Sequence, residues 1–294
     1  MARQVNFRYD EDFIYDLDKR RTYRLTAITS EENDLTIVTA FFDIGGPYHP
    51  ADYRRWFTGF SLIANPLVVF VDTDYNYEYV QTVRRRLPVN KTRIVKLRRR
   101  DVKSYWLKWR IAQVQQMSSK EQKSYRNVQA AQYLAAMHAK YEVLRLAVRD
   151  NPFESRYFCW ADFDRFRDES SWWTYLWYPS VPPPTGRRPT CLHLPSNFAD
   201  YDYAGSIVFE PVLKRRCDNC SASEIVRRRL VWISGRQFLG GRWAMLTWTA
   251  DYAAAVESML AKNLTGGEEQ IIYAMINEKM TSIQPKFFNG TLRL

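Results

Sequence analysis

The sequence predicts an α/β fold in which helices flank a mainly parallel central sheet. Short runs of β-branched and aromatic residues alternate with segments of helical spacing, which is the order typical of such folds. The run at 66–71 is nearly all apolar, as expected of a strand buried on both faces in a parallel sheet. The chain has 294 residues, of which 46% are hydrophobic, so it can bury a sizeable core and is not a disordered protein.

The predicted elements follow a polar N-terminal arm at residues 1–34. Strands are predicted at 35–42, 66–71, 92–97, 157–161, 206–210 and 230–234. Helices are predicted at 53–62, 78–87, 104–148 with a break near Ser118, 251–262 and 268–279. In the long helix, apolar residues spaced from Ala130 to Val148 form one stripe that is expected to face the sheet. Residues 235–241 are predicted as a glycine-bearing turn.

The net charge of +11 narrows the classes of partner. Basic clusters occur at 84–86, 98–100, 214–216 and 227–229. Such charge attracts nucleotides, nucleic acid or an anionic membrane surface, although each cluster is also explained by a solvated face. Since no nucleic-acid-binding motif accompanies the charge, nucleic acid is not the favoured partner.

Signals of cellular location point in two directions. No apolar run reaches the ~18 residues of a membrane helix, and the N-terminus lacks a signal-peptide core. These features favour a cytoplasmic protein, which the basic surface could hold at the periphery of an anionic membrane. Sequons at Asn90, Asn219, Asn263 and Asn289 favour the lumen of the secretory pathway instead.

The Cys217-Asp-Asn-Cys220 sequence is a lone C-x-x-C with loop-like flanks. A zinc site would need a second pair of ligands at suitable spacing, and His193 is the only nearby histidine. We therefore predict a loop here, and the pattern leaves open whether the two cysteines pair or bind a metal.

The most informative stretch is the apolar run at 157–161, which ends at the carboxylates Asp162 and Asp164. Oxygen ligands suit a hard cation such as Mg²⁺ or Mn²⁺. In open α/β sheets, ligands bind outside the carboxyl ends of the strands. The pattern therefore predicts a metal held for a phosphorylated substrate, and its alternative is a pair of aspartates in a structural turn.

These landmarks, in this order, resemble the HtrL/YibB family of bacterial proteins and their relatives in other organisms. The matching stretches cover roughly residues 35–280 and are 35–45, 65–70, the helix around Lys140, the block 151–163, 238–241 and 267–270. This sequence departs from the family at Asp164, where the family usually has glycine. It departs again in the Gly-Arg-Gln before Phe238, where smaller residues are expected.

The resemblance implies a fold similar to the GT-A glycosyltransferases, which use a nucleotide sugar and usually Mn²⁺ or Mg²⁺. It implies one domain at 35–294, with a nucleotide-binding half at about 35–165 and an acceptor half at about 166–294. The acceptor would be a glycan or a glycolipid. In the acceptor half, the aromatic stretch 172–178 either stacks on an acceptor sugar or packs in the core.

The same resemblance suggests roles for individual residues. Asp162 and Asp164 would hold the metal. Glu269 or Glu268 would act on the acceptor hydroxyl as a general base in an inverting enzyme, or would stabilise the oxocarbenium-like centre in a retaining one. Residues expected to bind the donor are Thr39, Ala40, Asp43, Asp72, Lys140, Gly240, Gly241 and Gln270. Each has a plain structural alternative: a turn, a packed side chain or a charge at a helix N-terminus.

Two further hypotheses stay open at the level of sequence. Asp72-Thr-Asp74 is a second D-x-D after an apolar strand. We rank it below the first as a metal site, because the GT-A-like order that the resemblance implies has uridine or ribose contacts at this point and the metal pair later. The protein as a whole is either a glycosyltransferase, a non-catalytic module of the same fold that binds a glycan or a protein, or a basic nucleic-acid-binding protein.

Overall fold

The computed structural model describes residues 7–10, 13–16, 21–24, 35–44, 48–118, 125–167, 205–212, 217–283 and 285–287. The aromatic stretch at 172–178, His193 and the sequon at Asn289 lie outside these residues. The strands are β1 Phe7–Asp10, β2 Phe13–Asp16, β3 Arg21–Arg24, β4 Leu35–Phe41, β5 Leu67–Val71, β6 Thr92–Lys96, β7 Tyr157–Ala161, β8 Ile207–Pro211, β9 Ile233–Gly241 and β10 Pro285–Phe287. The helices are α1 Pro50–Phe57, α2 Asp74–Arg84, α3 Lys103–Trp106, α4 Lys108–Ser118, α5 Tyr125–Asp150, α6 Ala222–Arg227, α7 Arg242–Ala261 and α8 Glu268–Asn277.

The predicted α/β fold with a mainly parallel sheet is confirmed. Within the described residues, seven strands form one sheet in the order β10-β8-β9-β7-β4-β5-β6. Every neighbouring pair is parallel except those of β9, which runs antiparallel to both β7 and β8. The polar arm contains β1, β2 and β3, which form a separate antiparallel sheet.

The central sheet has a hydrophobic core on each face because its inner strands are apolar on both sides. In β5, Val68 and Phe70 pack in one core, and Leu67, Val69 and Val71 pack in the other. All five side chains are buried, and each contributes about 1.5–3 kcal/mol of transfer free energy. Helices α5, α7 and α8 cover the first face and α1 and α2 the second.

The long helix α5 is buried more widely than a single stripe predicts. Tyr141, Leu144 and Val148 are buried as expected, but Ala130 is exposed. His138 and Lys140 lie off the predicted stripe and are also buried. The stripe was wrong at Ala130 and too narrow elsewhere, because α5 packs against α3, α4 and α7 as well as the sheet.

The predicted turn at 235–241 is wrong, since these residues belong to strand β9. The glycines there provide room for close neighbours. A Cβ on Gly235 would lie 2.5 Å from the carboxyl carbon of Glu268, and one on Gly240 would lie 2.5 Å from Cδ1 of Ile207. Glycine in a strand can mark such a close approach as well as a turn.

Cys217 and Cys220 form a disulfide, which decides the question that the sequence left open. Helix α8 holds this loop, because Nδ2 of Asn277 donates to the carbonyl oxygens of both cysteines at 2.8 and 3.1 Å. The backbone N–H of Cys217 also donates to the hydroxyl of Tyr273.

The basic cluster at 84–86 is not simply a solvated face. Arg84 is buried and donates to the carbonyl oxygens of Phe60, Ile63 and Asn65. Burial lowers the pKa of Arg84 to about 9, so the side chain stays charged at neutral pH. It therefore fixes the chain that leads from α1 into β5.

None of the helices in the described part of the chain combines the length and the hydrophobicity that a membrane span requires.

Candidate functional site

A cavity of about 300 Å³ opens at the carboxyl ends of β4 and β7. Residues after β4 form one wall, and α5 contributes Tyr133, Ala136, Met137 and Lys140, which lie on one helical face. The turn after β7, the start of α1, Arg236 of β9 and the first residues of α8 complete the lining. Seven of the predicted site residues line it: Ala40, Asp43, Lys140, Asp162, Asp164, Glu268 and Glu269.

Lys140 joins the two acidic parts of the cavity. Its Nζ lies 2.8 Å from Oδ1 of Asp162 and 2.6 Å from Oε2 of Glu268, and it donates to the carbonyl oxygen of Gly235 at 3.0 Å. Only 3% of its side chain is exposed. An ammonium group has three donors, so all of them have protein acceptors, and Lys140 holds the carboxylates in place.

The pKa values around Lys140 reflect one cation shared by two acids. Burial by itself lowers the pKa of Lys140, but Asp162 and Glu268 outweigh burial and hold it above its usual value. Burial raises the pKa of Glu268 to about 7; Lys140 opposes this shift, whereas Asp162 and Glu269 add to it. The pKa of Glu268 therefore stays above its usual value although Lys140 is its ion-pair partner.

Asp162 and Asp164 both reach the cavity from the turn after β7. Asp162 accepts a hydrogen bond from Nε1 of Trp160 at 2.7 Å, and its backbone N–H continues the ladder to Arg236. Asp164 pairs with Arg167 at 3.4 Å. Burial, and then the charge of Asp162, raise the pKa of Asp164.

The cavity suits a divalent cation that brings oxygen ligands of its own. Five carboxylates and three basic side chains line it, which leaves a formal charge of −2 when all are ionised. No group of three or more His, Cys, Asp or Glu in the described residues could hold a metal alone. Mg²⁺ is commonly bound by one or two carboxylates plus substrate phosphates, so Asp162 and Asp164 fit a cation delivered with a phosphate but not one held by protein side chains only.

Glu268 and Glu269 differ although they are neighbours at the start of α8. Glu268 is buried and accepts from Lys140 and from the hydroxyl of Tyr141. Glu269 also lines the cavity, and among the described residues it has no hydrogen-bond or ion-pair partner. Of the two glutamates, Glu269 is therefore the one whose carboxylate is available to a ligand.

The remaining predicted site residues do not line the cavity. Thr39 is buried, and its side chain lies on the face of β4 opposite to that of Ala40. Gly240 and Gly241 pair with β7 in the sheet, and Gln270 caps α8 by accepting from the N–H of Gly267 at 2.8 Å. Asp72 supports the cavity wall from behind, because both of its carboxylate oxygens accept from the backbone N–H of Asp43, which lines the cavity, at 3.2 Å.

Among the cavity residues that were not predicted from the sequence are the tyrosines Tyr48, Tyr53 and Tyr133 and the arginines Arg167 and Arg236. Arg167 lies over the rings of Tyr48 and Trp56, which forms a cationic and aromatic wall. Its position five residues after Asp162 was the one signal that could have identified it. The tyrosines lie in segments whose sequence pattern only indicates helix or turn.

Comparisons with known proteins give a family and a likeness to solved structures. The sequence profile described as "Bacterial protein of unknown function (HtrL_YibB)" matches residues 33–187. Among solved structures that match is mouse xyloside xylosyltransferase 1 in its apo form, with a TM-score of 0.43 and 10% identity over 87% of this chain and 84% of that one. A comparison with curated proteins finds no match.

Proposed function

The chain belongs to the HtrL/YibB family, and we propose that it is a metal-dependent glycosyltransferase that moves a sugar from a nucleotide diphosphate to a hydroxyl group of a glycan or lipid-linked acceptor. One observation carries the proposal: carboxylates from β7 and α8 meet basic side chains in one cavity at the carboxyl ends of the strands. A nucleotide diphosphate with a divalent cation matches this mixture of charges. An acceptor hydroxyl needs a nearby base to take its proton, and the carboxylates of the cavity can supply one.

Asp162 and Asp164 would hold the cation. When bound, a divalent cation neutralises the charge that develops on the leaving diphosphate. Lys140 keeps Asp162 in place and stays charged, so the carboxylate faces the cavity without rearrangement. Arg167 and Arg236 lie beside Asp164 and contribute positive charge for phosphate oxygens.

Glu269 is the general base of the proposed reaction. The bond between the anomeric carbon of the sugar and the phosphate oxygen breaks, and a bond to the acceptor oxygen forms. The nucleoside diphosphate leaves, and the acceptor proton passes to a carboxylate oxygen of Glu269. Glu268 suits this step less well, because both of its oxygens already have partners.

The test is thermal unfolding of the wild type and Asp162→Ala with a panel of nucleotide sugars, with and without Mn²⁺. We expect one donor to raise Tm only when Mn²⁺ is present, because a ligand stabilises the state that binds it. The shift should disappear in Asp162→Ala and persist in Asp74→Ala, which removes an exposed carboxylate of the second D-x-D.

The second measurement is the rate at which nucleoside diphosphate is released from the donor when a glycan acceptor is present. Glu269→Gln should keep the Mn²⁺-dependent shift in Tm and lose turnover by about 10²–10⁴-fold. If no nucleotide sugar raises the Tm of the wild type, the proposal is refuted and a non-catalytic binding module is favoured. Donor-independent binding that weakens steeply with salt would instead favour nucleic acid.

A further inference from the structure

Large apolar side chains are exposed beside the basic cluster at 98–100. Trp106 in α3 and Trp109 in α4 are 56% and 63% exposed, and Met117 near the end of α4 is 62% exposed. Leu107 between the two helices also has helical backbone angles, so the spacing of three residues puts both indoles on one side of the segment. Neighbouring exposed apolar side chains, unlike single ones, mark a surface that meets a membrane or another protein.

Basic residues lie next to both indoles. Nε1 of Trp106 donates to the carbonyl oxygen of Arg100 at 2.8 Å, and Nζ of Lys108 lies 5.0 Å from the ring centre of Trp109. Arg100 is exposed and Lys108 is half-buried, and neither forms an ion pair with an acid in the described ranges. These four residues form a basic and aromatic patch whose two charges are available to an external anion.

The surroundings of the patch are positively charged on balance. Six basic side chains and one acidic side chain lie at 98–110. Acids from other elements pair with two of the basic ones, since Asp72 contacts Arg99 and Glu257 contacts Lys103. Basic side chains still outnumber the acidic ones by six to three, so the region attracts an anionic surface.

The patch fits a lipid surface better than a nucleic acid. Nucleic-acid bases bind such surfaces by stacking on aromatic rings, but Lys108 already lies over the ring of Trp109. Because Nε1 of Trp106 has a protein acceptor, its indole can leave water without losing a hydrogen bond. At a bilayer, indoles lie at the depth of the headgroups, and lysine side chains extend their ammonium groups towards lipid phosphates.

We infer that α3 and the start of α4 bind to the surface of an anionic lipid bilayer. Trp106 and Trp109 enter the headgroup region, and Arg100 and Lys108 contact lipid phosphates. The inference is independent of the proposed transfer reaction, because none of these four residues lines the cavity at the carboxyl ends of β4 and β7.

The experiment is co-sedimentation of the full chain with vesicles of phosphatidylcholine, either alone or with about one-third phosphatidylserine. We expect saturable binding to the anionic vesicles and at least about ten-fold weaker binding to the neutral ones. Binding should also weaken when NaCl is raised from about 0.05 M to about 0.5 M, because salt screens the charges. Equal binding to both kinds of vesicle, or no binding to either, would overturn the inference.

A matched pair of tryptophans assigns the binding to the patch. Trp109 and Trp243 are almost equally exposed, at 63% and 61%. Trp243 lies near the start of α7, about 25 Å along that helix from Leu260, and the carbonyl oxygen of Leu260 accepts from Arg110. Trp109→Ala should weaken binding to anionic vesicles by about five-fold or more, whereas Trp243→Ala should leave it within about two-fold.

A second matched pair tests the charges. Arg100→Gln combined with Lys108→Gln should weaken binding by about ten-fold or more, and Arg227→Gln combined with Arg228→Gln by less than about three-fold. Equal effects within either matched pair would contradict the assignment to this patch. If Trp109→Ala instead weakens binding of a single-stranded oligonucleotide and leaves vesicle binding unchanged, the patch binds nucleic acid and the inference is wrong.

Discussion

Two strands of this protein end in the same pattern, and the structure gives the two ends different roles. Asp72-Thr-Asp74 follows β5, and Asp162-Phe-Asp164 follows β7. Asp72 is 3% exposed and accepts from the N–H of Asp43, while Asp74 begins α2 and is 79% exposed. Asp162 and Asp164, in contrast, both face one cavity.

The difference lies in the cations that each end meets. Arg99 pairs with Asp72 and donates to the carbonyl oxygen of Asp43, so the first end fixes the chain after β4. Lys140 instead connects Asp162 with Glu268, which lies 128 residues from Lys140 in the chain. The first end thus supports a wall of the cavity, and the second supplies its chemistry.

The largest expected effect comes from replacing Lys140, the basic side chain that binds Asp162 at the end of β7. Lys140→Met leaves Asp162 and Glu268 buried without their shared partner, so we expect the free energy of unfolding to fall by about 3–5 kcal/mol. Urea denaturation measures it. Lys96→Met, which removes the exposed partner of Asp74, should cost less than about 1 kcal/mol. Equal losses in the two variants would contradict the distinction between the strand ends.

The next effect concerns the structural role of the first end. Asp72→Ala removes the acceptors of the Asp43 N–H and the partner of Arg99, and should destabilise the fold by about 1–3 kcal/mol. Its neighbour provides the control, because Asp74→Ala removes only an exposed ion pair. If denaturation shows Asp72→Ala to be as stable as Asp74→Ala, Asp72 does not support the cavity wall.

The smallest effect should be a gain in stability. Burial and Asp162 raise the pKa of Asp164 in the folded state, so its contribution to stability is full below its ordinary pKa of 3.8 and is lost as the pH rises through the raised value. Asp164→Asn cannot ionise, so above that pH it should be more stable than the wild type by about 0.5–2 kcal/mol.

Denaturation of both proteins from pH 4 to pH 8 tests this expectation. The difference in the free energy of unfolding should grow with pH and then level off. A constant difference, or one that falls with pH, would show that the ionised form of Asp164 is not disfavoured in the fold. The variant should also lose the Mn²⁺-dependent shift in Tm if Asp164 is a metal ligand.

Some parts of the site could be predicted because they depend on local patterns. Strand β7 was recognised from its apolar run, and Asp162 and Asp164 from their place at its end. The role of Lys140 was harder to predict, since nothing near it in sequence shows that its partners come from the end of β7 and the start of α8. Strand β9 was misassigned at Gly235 because the carboxyl group that requires a glycine there belongs to Glu268.

The sequence by itself determined the α/β fold, the buried strands β4, β5 and β7, and the acids at their ends. Local composition and periodicity are enough for this, because they decide which backbone conformation buries apolar side chains. Only the tertiary structure decided which acids share a cation, which reach a cavity and which support the chain. Those properties depend on charges and burial supplied by residues far away in sequence, which no local pattern encodes.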